Sequence, residues 1–279
     1  MAAIVLALHF TWEMAQCGRF AGTLGFGRRA VGCGFQRRSG YVDHTASPEA
    51  SPMDLVKRIY QLLTTRAARS ALVGRVRDRK SPDAGRFTRS DVARLVDAAW
   101  RRYDGAVPGL PAQPTAGSTM NVRLACFTFS FFEELLAGGT DREYAVELVA
   151  DASWKVYQAW ARITSAAARL ARGTSSALAF AASQKSDNGR GLVRLRFPFN
   201  APGYAIETVP VDAGTGFNVV HCPVSSYFRA RGAADLCLAS WCNLDYSLSE
   251  LTHQTLVRTK TLVQGDAHCD FRILPIVGA

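Results

Sequence analysis

The hydrophobic period of this chain first changes near Asp187-Asn188-Gly189, and that change limits the folds open to it. Before that point apolar residues recur three and four apart. After it come alternating stretches, with two helical segments set between them. A segment patterned for a helix does not pack as a strand, and the reverse also holds. The chain is therefore expected to be α+β, with a helical N-terminal half followed by an antiparallel sheet with packed helices. We read one domain over 53–279, helical over 53–185 and α+β over 186–279.

In the helical part, Leu55, Ile59, Leu62 and Leu63 keep helical spacing, with Val56 beside them. Thr88-Arg89-Ser90-Asp91 reads as a helix start before Val92, Leu95, Val96, Ala99 and Trp100. The stretch Val107-Pro108-Gly109-Leu110-Pro111 breaks that helix. The next one carries Phe127, Phe129, Phe131 and Phe132 and stops at Gly138-Gly139. Thr140 is expected to cap a further helix, with Glu143 completing a capping box, and that helix runs through Val146, Val149, Trp154 and Trp160.

In the second part, strands are expected over Leu192–Phe199, Tyr204–Val209 and Gly216–Cys222. Helices follow over Val224–Arg231 and Ala233–Leu251. A hairpin closes the chain, from Thr255–Val263 through Gln264-Gly265-Asp266 to His268–Ile276. Residues 1–52 differ from all of this. Recurrent glycines, Ser47-Pro48 and Ser51-Pro52 give them a linker composition, and Met53 stands directly before the first clean helical pattern. We expect a poorly structured leader and a natural start at or near Met53.

Composition narrows the function classes. Hydrophobic residues make up 48% and charged residues 20% of the 279, which excludes a largely disordered chain. No apolar run approaches the roughly 20 residues that span a bilayer, so no membrane partner is expected. The net charge of +10 comes from 28 Arg and 5 Lys against 23 acidic residues, and the excess lies between Lys57 and Arg102. Asp78, Asp83, Asp91 and Asp97 interrupt it, as on a solvated helical face. No zinc finger, RNA-recognition signature or interleaved aromatic accompanies it, so no nucleic-acid partner is expected. The remaining role for that stretch is docking of an acidic protein. Aromatics at 127–132 would favour a homodimer if they were not core.

Seven cysteines, an odd number without regular spacing, and no secretory signal point to free thiols in a reducing compartment, hence a cytoplasmic protein. His221-Cys222, Cys237, Cys242 and His268-Cys269 do not match a zinc spacing, so no metal is expected. No phosphate loop or dinucleotide fingerprint is present, and no cofactor is expected.

The polar residues in unusual places are few. Asp245 falls on the edge of the apolar stripe Leu236, Cys237, Ser240, Trp241, Leu244, Leu248 and Leu251. A carboxylate there must be paired, hydrogen-bonded or protonated, either as a structural ion pair with an arginine of the sheet or as a functional group. Along His268–Arg272, alternation puts His268, Asp270 and Arg272 on one face and Cys269, Phe271 and Ile273 on the other. Cys269 is then either a small buried hydrophobe or a reactive thiol held near a cation.

Taken in order, Gly139-Thr-Asp-Arg-Glu-Tyr-Ala, His221-Cys-Pro-Val with Tyr227-Phe228, Trp241-Cys-Asn-Leu-Asp245 and Arg258-Thr-Lys-Thr-Leu-Val-Gln-Gly265-Asp-Ala-His-Cys-Asp-Phe-Arg272 resemble the L-2-amino-thiazoline-4-carboxylic acid hydrolase family. The similarity covers about residues 120–275. It implies hydrolytic opening of a small cyclic isothiourea carboxylic acid to N-carbamoyl-L-cysteine, without a cofactor. On that resemblance Asp245 or Asp270 supplies a carboxylate, Cys269 or Cys222 a nucleophile, His268 or His221 a base, and Arg258 or Arg272 a clamp for the substrate carboxylate. Trp241 and Tyr227 are expected to line the substrate. The tail also looks somewhat like vinyl-reductase-type domains, which gives the alternative of a non-catalytic small-molecule-binding or sensory module.

Overall fold

A computed structural model describes residues 52–159, 203–251 and 254–275. The leader, the strand expected at Leu192–Phe199 and the change of period at 187–189 lie outside those residues. The described part is α+β, with helices first and a four-stranded antiparallel sheet with helices afterwards.

Helix α1 (Pro52–Leu72), α2 (Arg89–Ala106) and α3 (Ala116–Ala137) pack successively, and α4 covers residues 142–159. The starts of α2 and α3 are set by short polar side chains. Thr88, at the helix start the sequence suggests, caps α2 in a reciprocal box with Asp91, and Thr115 caps α3 in the same way with Ser118. Trp100 joins the first three helices. Its indole N–H donates to Thr64 Oγ1 at 3.3 Å, and its ring centre lies 4.2 Å from that of Phe127. Phe127, Phe131 and Phe132 are buried in this core and Phe129 is half-buried against it. These aromatics thus give no support to a homodimer.

One helix detail differs from the sequence reading. The cap of α4 is Asp141 rather than Thr140. The Asp141 carbonyl accepts the first helical N–H, from Ala145 at 2.8 Å, and its carboxylate accepts from the amides of Glu143 and Tyr144. Thr140 is buried, with its own amide bonded back to Leu135 of α3. The basic stretch, meanwhile, meets carboxylates of the same chain. Arg75 pairs with Asp151 at 2.6 Å, Arg77 with Asp91 at 2.7 Å, Arg79 with Glu147 at 2.7 Å, and Lys80 with Asp141. Each exposed pair contributes little stability, but together they tie the 75–80 segment to α2 and α4.

Strands β1 (Ala205–Val209), β2 (Thr215–His221), β3 (Gln254–Val257) and β4 (Cys269–Pro275) form the sheet in the order β1-β2-β4-β3, every pair antiparallel. One face buries Phe217, Val219, Leu256, Cys269, Phe271 and Ile273, with Phe217 and Phe271 stacked at 4.9 Å. Between β2 and β3 stand α5 (Pro223–Arg229), a single turn α6 (Ala234–Cys237) and α7 (Leu244–Leu251). Cys222 packs against both the helical core and the sheet core.

The closing hairpin is shorter than alternation suggests. Pairing of β3 with β4 stops at Val257 opposite Arg272, where the sequence reading carries the first strand to Val263. Beyond it the Asp270 carboxylate takes the amides of Thr259 at 2.8 Å and Lys260 at 2.6 Å, replacing ladder bonds with side-chain bonds. A single turn of 3-10 helix, Leu262–Gln264, then returns the chain through Gly265 in a left-handed conformation at φ 102°.

Candidate functional site

The helix expected over Ala233–Leu251 is continuous only in outline. Between α6 and α7 the backbone widens into a π-turn, Leu238–Cys242, in which the Asn243 amide donates to the Leu238 carbonyl at 2.9 Å. Such an inserted residue rotates everything after it about the helix axis, and π-turns recur at functional sites. Here the turn directly precedes Asp245, which is buried in the first turn of α7. The backbone carbonyl of Cys242, at the end of the wide turn, accepts from Arg258 Nη2 at 3.1 Å.

Arg258 follows β3 directly. Leu256 faces the sheet core and Val257 faces away, so strand alternation returns Arg258 to the core side. Its Nη1 donates to Asp245 Oδ2 at 2.8 Å, with the two side chains only 2% and 6% exposed. The guanidinium carbon lies 5.3 Å from the centre of the Phe271 ring and 5.1 Å from that of Tyr246. Arg258 Nε is buried and has no hydrogen-bond partner among the described residues. A pair so enclosed is costly to desolvate, and it stands because geometry and neighbouring bonds compensate.

Cys269 begins β4 on the same face of the sheet, only 7% exposed. Its sulfur accepts the Leu262 amide at 3.2 Å. Burial pushes the thiol up to about 11, and the charges of Cys242 and Asp245 add to that, while the Leu262 amide and the Arg258 guanidinium oppose it. The structure therefore brings Asp245, Arg258 and Cys269 into one buried, mutually interacting group, with Cys242 beside them.

The other sequence candidates fall elsewhere. Asp270 and Arg272 occupy the opposite face of β4, as alternation requires. Asp270 accepts from Thr259 Oγ1 at 2.7 Å besides the two amides; burial opposes its ionisation, and these bonds hold its carboxyl below the ordinary value. Arg272 donates to Asn218 Oδ1 at 3.2 Å and to the Phe217 carbonyl at 3.1 Å, stitching β4 to β2. Cys222 caps α5, its sulfur accepting the Ser225 amide at 3.4 Å. His221 is exposed at the end of β2, and His268 is half-buried just before β4. Trp241 donates its indole N–H to Thr128 Oγ1 at 3.3 Å, towards α3.

Tyr227 also turns to the helices. Burial raises its phenol strongly, its hydrogen bond with Cys126 adds to that, and Arg231 lies 3.7 Å from its ring centre. Two contributions to the group are missed by the sequence reading. Tyr246 is next to Asp245 in the chain, yet it reaches Arg258 only because the segment after β3 folds back to it. Cys242 contributes its carbonyl, which no residue pattern reports.

Among the described residues, no three His, Cys, Asp or Glu side chains are grouped to hold a metal ion. No described helix is long and apolar enough to cross a membrane. No curated protein and no solved structure matches the chain. Residues 147–273, which include Asp245, Arg258 and Cys269, match the model of the L-2-amino-thiazoline-4-carboxylic acid hydrolase family, which bears out the resemblance over the motifs from His221 to Arg272, while Gly139–Ala145 precedes the matched segment.

Proposed function

We propose that this protein is a cytoplasmic hydrolase that opens a small cyclic amidine or isothiourea carboxylic acid, with L-2-amino-thiazoline-4-carboxylate as the substrate to test. The observation that carries the reading is the buried Asp245–Arg258 pair with Cys269 on the same sheet face, inside the matched segment. The reaction adds water to the amidine carbon, breaks the ring C–S bond and returns a proton to the departing sulfur. Atoms balance with one water and no redox partner.

In this reading the Asp245 carboxylate holds the N–H groups of the protonated amidine, where a charged bond in an enclosed site is strong. Arg258 keeps Asp245 in place and offers its remaining N–H donors, Nε among them, to the substrate carboxylate. Cys269 is a thiol rather than a thiolate near neutral pH, since its value is pushed up to about 11. That favours water as the nucleophile, with the thiol as a neutral neighbour able to donate to the leaving sulfur. Asp270 and Arg272 support the strand that carries Cys269.

The test is incubation of the purified chain with 2-aminothiazoline-4-carboxylate, following thiol release, beside an Asp245→Asn variant. Release by the parent and loss in the variant are expected. Stoichiometric binding without release by the parent would replace the hydrolase reading with a ligand-binding one.

A further inference from the structure

Tyr246 stands where the buried pair meets an exposed side chain. Arg258 is 2% exposed along its side chain, yet Tyr246, whose ring centre lies 5.1 Å from the guanidinium carbon, is 37% exposed. Its hydroxyl donates to the Arg258 carbonyl at 3.1 Å, so the residue is anchored to the main chain of the arginine it covers. Phe271, the second ring near that guanidinium, is buried in the sheet core. Of the two rings only Tyr246 reaches water.

We infer that Tyr246 determines access to the Asp245–Arg258–Cys269 group and the shape of what enters it. Its ring occupies the position that a flat ligand takes against the guanidinium, and the ligand displaces it. A guanidinium face suits planar groups, and the unpartnered Nε suits a carboxylate, so the fitting ligand is a small planar ring bearing a carboxylate. The identity of that ligand rests on the hydrolase reading; the covering role of Tyr246 does not.

The experiment is site-resolved alkylation by iodoacetamide at pH 8, read by mass spectrometry on the full-length parent, Tyr246→Ala and Tyr246→Phe proteins. Removal of the ring is expected to speed alkylation of Cys269 at least about tenfold, with Cys126 and Cys237 unchanged. Tyr246→Phe, which keeps the ring and loses only the anchor, is expected to show a smaller rise. A Cys269 rate in Tyr246→Ala within about twofold of the parent would overturn the inference. So would a parallel rise at Cys126 and Cys237, which would make Tyr246 a support of the fold. Equal rates in the Phe and Ala variants would remove the ring from the covering role.

Turnover of 2-aminothiazoline-4-carboxylate gives the second readout, with a raised KM and a smaller change in kcat expected for Tyr246→Ala. A parent that does not turn this compound over would refute the hydrolase reading and leave the alkylation result to decide the role of Tyr246.

Discussion

Arg258 and Asp245 form an ion pair of 2.8 Å between two segments, α7 and the chain just after β3, with almost no access to water. The relationship has two separable consequences. Breaking a buried pair by removing one charge strands the other, at a cost of about 3–5 kcal/mol. Asp245→Asn should therefore lower the thermal midpoint as well as turnover. The paired replacement Asp245→Leu with Arg258→Met removes both charges, and should recover most of the stability while remaining inactive. Thermal melts beside turnover assays check this; an active double variant would remove the pair from the chemistry.

Cys269 links pH to both reactivity and stability. Its thiol is raised in the folded state from an ordinary 9.0 to about 11, so the folded protein binds its proton more tightly than the unfolded chain does. The associated stability is complete below about pH 9 and is lost as pH rises towards about 11. Denaturation midpoints measured across that window should fall, and Cys269→Ser should flatten part of the fall, the rest belonging to groups such as Cys126, whose thiol burial also raises. Turnover separates the mechanisms. Cys269→Ser keeps a hydroxyl that can donate to the leaving sulfur, so it should retain a measurable rate if water attacks; a covalent adduct on Cys269 trapped during turnover by the parent would assign the attack to the thiol.

Asp270 gives the opposite sign. Its carboxyl is held low in the folded state, so its contribution is present above the ordinary carboxylate value and is lost as pH falls through the folded one. Asp270→Ala should free the amides of Thr259 and Lys260, and hydrogen exchange at those two positions should accelerate. Unchanged protection there would contradict the bonding described.

The cap of α4 offers a local check. Asp141→Ala removes the carboxylate that accepts from the Glu143 and Tyr144 amides, so exchange at those amides should quicken and the thermal midpoint should fall. Thr140→Ala leaves that carboxylate in place and should leave the same two amides as they are in the parent. Amide exchange on the two single variants separates the positions. Faster exchange at Glu143 and Tyr144 in Thr140→Ala alone would return the cap to the residue read from sequence.

Much of the fold is legible because periodicity is a local property. The alternation of Cys269, Phe271 and Ile273 against Asp270 and Arg272 needs only the strand to exist, and the Thr88–Asp91 box needs only its own spacing. The same alternation carries the signal that separates Arg258 from Arg272, since Arg258 shares parity with buried Leu256 and Arg272 with Asp270. The π-turn is not legible. No glycine or proline marks Leu238–Cys242, and a helix with one inserted residue keeps nearly the same apolar stripe. Nor is the early end of β3, which depends on a carboxylate eleven residues along the chain from Thr259.

Hydrolysis at the Asp245–Arg258 pair is decided by turnover of 2-aminothiazoline-4-carboxylate in water enriched in oxygen-18, with the full chain as catalyst and the product read by mass spectrometry. The expected product is N-carbamoyl-L-cysteine carrying one heavy oxygen in the carbamoyl group, formed by the parent and absent with Asp245→Asn. Recovery of unchanged substrate from the parent, or equal labelling in the variant, would contradict hydrolysis at that pair.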